Sequence, residues 1–269
     1  MTDTPLIAFR RFSLSRDGRR VLHDLTFEIP QASSGKRSLT VLLGPSGAGK
    51  STLLKIATGQ IGLRAPRLRS EGTVEVLGRP VQDWDKVALA RALGFMQQET
   101  VLFAGTVGDN TARLRRLAGL PGTRAAHRDA ARAALDAAGL AEIPLERRAA
   151  ALSGGQRQRL AMARAAMMAP QGLLLDEPTT ALDQETKAEI LPPLLALAET
   201  TPLVAVTHDT DLLPFATRAL YLAPDPGRPD AGATLRFDGP PEGLAGAGTP
   251  EDIRSALNAI QDLAETHAA

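Results

Sequence analysis

The sequence contains no cysteine, which excludes disulfide bonds, thiolate metal sites and cysteine nucleophiles. Aromatic residues make up only 3% of the chain and leave few side chains that could stack on nucleic-acid bases. The formal net charge of +1 argues against a general electrostatic attraction to nucleic acid. No segment approaches the roughly 20 apolar residues needed to span a bilayer, and residues 1–11 contain no apolar signal core. We therefore expect a cytoplasmic globular protein that binds no nucleic acid.

Lysine is also rare, and one lysine lies in the most informative stretch of the chain, GPSGAGKST at residues 44–52. This stretch fits the pattern G-x-x-x-x-G-K-[ST] and follows the apolar run Leu39–Leu43, which predicts a buried strand. Its glycines allow backbone N–H groups to surround a polyphosphate at the start of a helix. Lys50 is expected to reach the β and γ phosphates, and the Ser51 hydroxyl to bind Mg²⁺. The predicted nucleoside triphosphate site consists of Gly44, Pro45, Ser46, Gly47, Ala48, Gly49, Lys50, Ser51 and Thr52.

Two further apolar runs end in side chains that suit nucleotide chemistry. Leu173–Leu175 leads into Asp176 and Glu177, and Leu203–Thr207 leads into His208. Together with the strand before the phosphate loop, these runs alternate with helices and predict a parallel, right-handed α/β sheet with helices on both faces. Ligands bind at the carboxyl ends of the strands in such sheets. We therefore expect all three strand ends to converge on one nucleotide.

The N-terminal part of the chain has a different pattern, which predicts antiparallel strands. Residues 6–14 and 21–29 predict two strands joined by a turn at residues 17–18, and residues 73–77 predict another strand. Residues 62–70 contain three arginines and predict a solvated loop, with a contact to phosphate or to a partner as the alternative.

The remaining segments predict helices. Residues 87–93 predict a helix that ends at Gly94, and residues 249–263 predict a C-terminal helix with one apolar face. Residues 109–151 are rich in Ala, Leu and Arg and predict a mostly helical insert. Its arginines are expected on exposed helix faces, with a contact to a partner as the alternative for a few of them: Arg113, Arg115, Arg116, Arg124, Arg128 and Arg132.

The octapeptide LSGGQRQR at residues 152–159 resembles the signature sequence of ATP-binding cassette (ABC) ATPases. The other motifs agree with that family in type and order. Gln98 is similar to its Q-loop glutamine, residues 173–177 to its Walker B strand and following glutamate, residues 180–183 to its D-loop, and His208 to its switch histidine.

This resemblance covers roughly residues 5–245 and implies a fold class and a domain arrangement. The fold is expected to be α/β, a P-loop NTPase with a parallel sheet core, an antiparallel β subdomain and an inserted α-helical subdomain at about residues 99–152. Residues 1–245 are expected to form the ATPase domain, and residues 246–269 a C-terminal helical tail.

The resemblance also implies a role for each site residue. Asp176, with Ser51 and Gln98, would hold Mg²⁺, while Glu177 polarises the attacking water and His208 senses the γ-phosphate. Lys50 would neutralise phosphate charge during hydrolysis. A second set would face the ATP of another subunit, so that two cassettes, most simply two copies, pair head to tail around two ATP molecules: Ser153, Gly154, Gly155, Gln156 and Asp183.

The function implied is that of the ATP-hydrolysing subunit of an ABC transporter, held on the inner face of the cell membrane by separate integral membrane subunits. Its sequence does not separate import from export or identify the substrate, which other chains recognise. The alternative is a soluble ABC ATPase that acts on nucleic acid or ribosomes. The short spacing between phosphate loop and signature, the absence of cysteine and the single cassette favour the transporter.

Two features depart from the family pattern. Family members place an aromatic residue upstream of the phosphate loop to stack on adenine, but the corresponding position here is Ser15 or Arg16. Arg16 could stack through its guanidinium plane, Phe12 could move in, or base selectivity could be weak. In addition, Pro192–Pro193 interrupts a predicted helix and indicates a kink or a break near Leu191.

Overall fold

The computed structural model describes residues 4–31, 36–98, 100–179, 182–208, 210–225 and 227–246. The predicted C-terminal helix, residues 249–263, lies outside the described residues. The strands are β1 (Ile7–Arg16), β2 (Arg19–Ile29), β3 (Leu39–Leu43), β4 (Leu68–Val76), β5 (Arg79–Pro80), β6 (Leu93–Met96), β7 (Gly172–Asp176), β8 (Leu203–Val206), β9 (Arg218–Asp225) and β10 (Arg228–Gly239). They form one sheet in the order β5-β4-β1-β2-β10-β9-β3-β8-β7-β6.

Helices cover the sheet and form a separate layer beside it. The α-helices are α1 (Lys50–Ala57), α2 (Lys86–Ala92), α3 (Leu114–Leu117), α4 (Arg124–Ala137), α5 (Gly154–Ala166) and α6 (Gln184–Ala198). A π-helical segment, Asp109–Arg113, runs directly into α3. Across the described residues, no helix is long and apolar enough to cross a membrane.

The parallel part of the sheet has the predicted arrangement. β3 lies between β8 and β9, β8 pairs with β7, and all of these pairs are parallel. The side chains of β3, β7 and β8 are buried throughout, as expected for strands that are covered on both faces. The carboxyl ends of β3, β7 and β8 therefore lie side by side at one edge of the sheet.

Two strand assignments from the sequence were wrong. Leu93–Met96 forms β6, although the sequence predicted the end of a helix and a glycine break there. Pairing with β7 along Leu93–Gly172 to Met96–Leu175 makes this four-residue segment a strand, and so short a run carries no periodicity of its own. Leu68–Ser70, predicted as loop, begins β4 because Arg16, Ser15 and Leu14 pair with it across the sheet.

The antiparallel part contains β1, β2, β4 and β5, and the predicted turn at residues 17–18 joins β1 to β2. Its core contains stacked rings, with the centroids of Phe9 and Phe27 4.7 Å apart and Phe12 edge-on to Phe9 at 5.7 Å. Phe12 is completely buried. It is therefore a core residue and is not available to contact a nucleotide.

The helical insert has its own apolar core, separate from the two clusters that flank the sheet. Val107, Leu135, Leu140, Leu152 and Leu160 are among its buried members. Leu160 belongs to α5, so the helix that follows the LSGGQ sequence contributes to this core. The helical character predicted for residues 109–151 is confirmed by α3, α4 and the π-helical segment.

The sequence predicted a kink or a break near Leu191, and the break was wrong, because helix α6 is continuous through Pro192 and Pro193. A proline at position 192 removes the hydrogen bond to the carbonyl of Ala188. Both Ala188 and Pro192 lie on the exposed side of α6. Water can therefore solvate the freed carbonyl, while Ile190 and Leu194 hold the buried side against the sheet.

Candidate active site

The phosphate loop connects β3 to α1, and its glycines are required by the backbone that it adopts. Gly44 has a φ of +152° and lies so close to the carbonyl of Leu222 that a Cβ would overlap it. Gly49 precedes α1 with a φ of +91°, a left-handed conformation that side chains rarely allow. Any other residue at these two positions would distort the loop in front of the helix.

Lys50 is the buried cation of this loop, with only 6% of its surface exposed. Its Nζ donates hydrogen bonds to the carbonyl oxygens of Gly44 at 2.8 Å and Pro45 at 3.0 Å. Burial lowers the pKa of Lys50, while the carboxylates of Glu177 and Asp176 partly oppose that shift. Carbonyl oxygens are neutral, so phosphate oxygens would be stronger partners for this ammonium group.

Ser51 and Asp176 come together although 125 positions separate them in sequence. The Ser51 hydroxyl donates to Oδ1 of Asp176 at 2.6 Å, and Asp176 ends β7 with only 4% of its surface exposed. A hydroxyl and a carboxylate oxygen side by side are oxygen ligands of the kind that Mg²⁺ takes together with water and phosphate. The donor set at this position therefore fits Mg²⁺.

Glu177 and His208 form the next pair. Oε1 of Glu177 lies 3.0 Å from Nδ1 of His208, and the backbone N–H of Glu177 donates to the carbonyl of Val206 at 2.8 Å. Glu177 has a φ of +53°, an unfavourable conformation for a residue with a side chain. The His208 side chain is 61% exposed, whereas that of Glu177 is 11% exposed.

These residues surround a cavity of about 810 Å³. Its phosphate-loop end is lined by Ser46, Gly47, Gly49, Lys50, Ser51, Thr52, Gln98, Glu177 and His208. Asp176 contacts Ser51 but does not itself line the cavity. The remaining predicted residues of the phosphate loop also lie outside the lining and hold the loop in shape. Gly44 and Pro45 hold Lys50, and Ala48 is buried with its N–H on the carbonyl of Pro45. Gln98, from the segment after β6, thus reaches the same cavity as the carboxylate from β7.

Comparison with known proteins places the chain in a family. A family model described as ABC transporter matches residues 22–180, which is more than half of the chain. The taurine import ATP-binding protein TauB of Pseudomonas entomophila is 41% identical over 202 residues, covering 73% of this chain and 72% of TauB. The chain belongs to the ABC transporter family.

The chain spans about a quarter of the length of one relative and the whole length of a solved structure. The ABC multidrug transporter mdr2 of Aspergillus fumigatus is 31% identical over 230 residues, but the match covers 83% of this chain and only 27% of mdr2. The solved structure of CbiO1 from Clostridium perfringens has the same fold, with a TM-score of 0.75 and 22% identity, covering 99% of this chain and all of CbiO1. The predicted fold class is therefore confirmed, as is the assignment to the ABC ATPases.

The ABC signature segment lies away from the cavity. Ser153 caps α5, with its Oγ accepting from the N–H of Gln156 at 3.2 Å and its own N–H donating to Oε1 of Gln156 at 3.1 Å. Gly155 packs on α6, where a Cβ would come within 2.8 Å of Thr186, whereas a Cβ on Gly154 would meet nothing within 4 Å. Within the described part of the chain, none of these four signature residues lines the cavity.

Asp183 lies next to the signature segment rather than beside the phosphate loop. Its Oδ1 accepts from the N–H of Thr186 at 2.8 Å and caps α6. This contact lowers the pKa of Asp183. Because Gly155 also packs on Thr186, Asp183 and the signature segment share one surface at the beginnings of α5 and α6.

The other end of the cavity contains Arg16 and Arg67, from segments for which the sequence left a contact open, together with apolar side chains that the sequence did not identify. Leu14, Val21, Ile61 and Leu68 give it apolar walls, and Arg16 and Arg67 border it. Asp17 lies between the two arginines, with its carboxylate oxygens 3.8 Å from Nε of each. Pairing of β1 with β4 brings these residues together. No local sequence signal indicates this strand pairing. Arg16 was noticed only because it replaces the aromatic residue of the ABC pattern.

Proposed function

We propose that this chain binds and hydrolyses ATP as the ATPase subunit of an ABC transporter. The observation that carries the proposal is that one cavity brings together Lys50, Ser51, Gln98, Glu177 and His208 from four separate segments. One end of this cavity presents backbone N–H groups and a buried cation, and the other end is apolar. A triphosphate and a base require that combination.

The residues around the phosphate end have separable roles in this proposal. Ser51, Asp176 and Gln98 would hold Mg²⁺, which when bound neutralises charge on the phosphates. Lys50 exchanges the loop carbonyls for phosphate oxygens, and Glu177 polarises the attacking water. His208 holds the Glu177 carboxylate in place from the cavity side, which supports its role in orienting the site.

We further propose that two copies of the chain pair head to tail, each covering the ATP of the other. The location of Ser153, Gly154, Gly155, Gln156 and Asp183 on a surface outside their own cavity supports this arrangement. Gly154 has no side chain and no neighbour within 4 Å of its Cβ position, so a group of another molecule could approach the positive end of α5 closely. An anionic phosphate on a second copy would fill that room.

A membrane subunit is proposed to contact the exposed apolar side chains beside Gln98. Val101, Phe103 and Leu117 are 61%, 53% and 69% exposed. The face is held in shape by Arg164, which donates to the Val101 carbonyl at 2.9 Å and places its guanidinium 5.4 Å from the Phe103 ring. The Asn110 side chain fixes the backbone of Phe103. Its Oδ1 accepts from the Phe103 N–H at 2.8 Å, and its Nδ2 donates to the Phe103 carbonyl at 3.0 Å. Large apolar side chains held this way suit a partner with an apolar helix.

Replacement of Glu177 by glutamine tests the hydrolytic function. Glutamine keeps the shape of the side chain but removes the carboxylate that polarises water, so we expect ATP binding to persist while turnover falls at least about 100-fold. Equilibrium binding and phosphate release, measured on the same preparations, separate the two effects. Glu142→Gln removes an exposed carboxylate from the helical insert, away from the cavity and the signature segment, and serves as the control. Undiminished turnover in Glu177→Gln would contradict the assignment, as would failure of the unmodified chain to bind ATP.

A further inference from the structure

Six arginines in the first part of the helical insert, residues 109–137, fall into two groups. Arg115 and Arg132 have structural contacts, since Arg115 donates to the carbonyl of Met167 and Arg132 to the carbonyls of Ala141 and Ile143. The remaining four line a separate cavity of about 290 Å³ between the π-helical segment, α3 and the start of α4: Arg113, Arg116, Arg124 and Arg128.

The charges around this cavity do not balance. Arg113 pairs with Asp109 at 3.2 Å, and Arg128 pairs with Glu146 at 3.1 Å. These two carboxylates are the acidic side chains among the lining residues. Within the described residues, the other two arginines make no ion pair. The lining therefore carries a surplus of two positive charges, four arginines less two carboxylates.

A buried and unpartnered imidazole lines the same cavity. His127 is only 4% exposed, and its Nδ1 has no hydrogen-bond partner among the described residues. Buried polar atoms are nearly always paired, so an unpaired nitrogen in the wall of a cationic cavity needs a ligand or a water. His127 also lies in the first turn of α4, which Thr123 caps. The first N–H groups of a helix have no partner within it and favour an anion.

We propose that this cavity binds a phosphate group, either inorganic phosphate or a phosphomonoester. Arg116 and Arg124 are the free cations, and a guanidinium matches the oxygens of a phosphate through two parallel hydrogen bonds. A phosphate dianion neutralises the surplus of two charges, whereas one carboxylate neutralises half of it. The cavity shares no lining residue with the larger one at the phosphate loop, so this site is independent of the proposed ATPase function.

Nuclear magnetic resonance on the full chain tests the site directly. Inorganic phosphate is titrated at constant pH and ionic strength while the imidazole ¹⁵N signals of His127, identified by their loss in His127→Gln, are followed. We expect a saturable shift at His127. Arg116→Ala with Arg124→Ala should weaken the apparent affinity at least about tenfold because both charge-assisted contacts are lost. Arg228→Ala with Arg236→Ala removes two exposed arginines elsewhere and should leave the affinity unchanged.

The source of the phosphate is distinguished by a second measurement. The chain is sedimented with phosphatidylcholine vesicles that contain or lack phosphatidic acid, and the two double variants are compared. Retention by phosphatidic acid that Arg116→Ala with Arg124→Ala abolishes would identify a lipid headgroup, whereas saturation by inorganic phosphate alone would identify the free ion.

Three results would contradict a phosphate site in this cavity. The proposal is overturned if chloride shifts His127 as phosphate does, or if the Arg116→Ala, Arg124→Ala variant responds like the unmodified chain. It is also overturned if neither inorganic phosphate nor phosphatidic acid has a saturable effect. Loss of ATP binding in Lys50→Ala should leave the His127 response in place, which keeps this test separate from that of the ATPase function.

Discussion

At the level of single residues, the site consists of a few side chains that other groups of the same chain hold in place. Lys50 is buried and donates to two carbonyl oxygens. The Ser51 hydroxyl donates to Asp176, and Glu177 is hydrogen-bonded to His208. Each group is therefore oriented by a partner that a nucleotide or a metal ion can replace. Such preorganisation lowers the cost of ordering the site on binding.

Truncation of Lys50 measures its contribution to binding. Lys50→Ala removes the ammonium group beside the loop carbonyls, and we expect the dissociation constant for ATP to rise about 10- to 100-fold because hydrogen bonds to charged groups are lost. Lys55→Ala removes the same charge from the last turn of α1 and should leave the constant unchanged. A fluorescence titration of both variants makes the comparison. Equal affinities in the two variants would refute the phosphate contact of Lys50.

Arg16 provides a second prediction at this scale, because it borders the apolar end of the cavity where Phe12 cannot reach. We expect Arg16→Ala to weaken ATP binding by about 2- to 5-fold, as for an exposed guanidinium that stacks on a ring. Arg16→Tyr should bind ATP more tightly than Arg16→Ala because an aromatic ring stacks better. Arg11→Ala, 87% exposed on the same strand, is the control. Calorimetric titration gives all four constants, and equal values would exclude Arg16 from the base site.

At the scale of secondary structure elements, helix α6 shows how context overrides a local rule. Two adjacent prolines do not break it, because the carbonyl left free by Pro192 lies on the exposed side and the buried side keeps its packing. The elements on either side of the cavity are ordered in the same way, by long-range pairing. β6 is a strand because it pairs with β7, and the start of β4 is a strand because it pairs with β1.

Pro192→Ala tests this account of α6. Alanine restores the hydrogen bond to the Ala188 carbonyl and has a higher helix propensity, so we expect the free energy of unfolding to rise by about 1 to 3 kcal/mol. Urea denaturation followed by circular dichroism measures it. Pro202→Ala, outside the helix and before β8, is the comparison. A lower stability of Pro192→Ala would mean that the proline fits a local bend that the helix requires.

At the scale of the whole molecule, the sheet continues from the antiparallel part into the parallel part, and the cavity lies where the two meet. Its phosphate end comes from the carboxyl ends of parallel strands, and its apolar end from β1, β2 and β4. The signature segment lies elsewhere, at the beginning of α5 beside α6. A single chain therefore has the cavity and the signature on different surfaces, as head-to-tail pairing needs.

The two signature glycines give a matched test of pairing. Gly154→Ala adds a methyl group in open space, so the stability of the single chain should stay the same or rise by up to about 1 kcal/mol, whereas ATP-dependent pairing should be lost. Gly62→Ala, also in open space, should pair normally. Analytical ultracentrifugation with ATP in the Glu177→Gln background measures pairing. Ser153→Arg should likewise bind ATP as a monomer, and a normal dimer in either signature variant would place these residues outside the interface.

The parts of this protein whose chemistry is local can be predicted from its amino-acid sequence. A phosphate loop needs glycines and a lysine at fixed spacing, and the carboxylates and histidine follow directly from buried strands, so the sequence alone predicts Lys50, Asp176, Glu177 and His208 as site residues. The pairing of distant segments was needed to show that Leu68 borders the cavity, that Leu93–Met96 is a strand and that α6 continues through two prolines. These features arise from contacts between segments distant in sequence, which leave no periodicity in either segment.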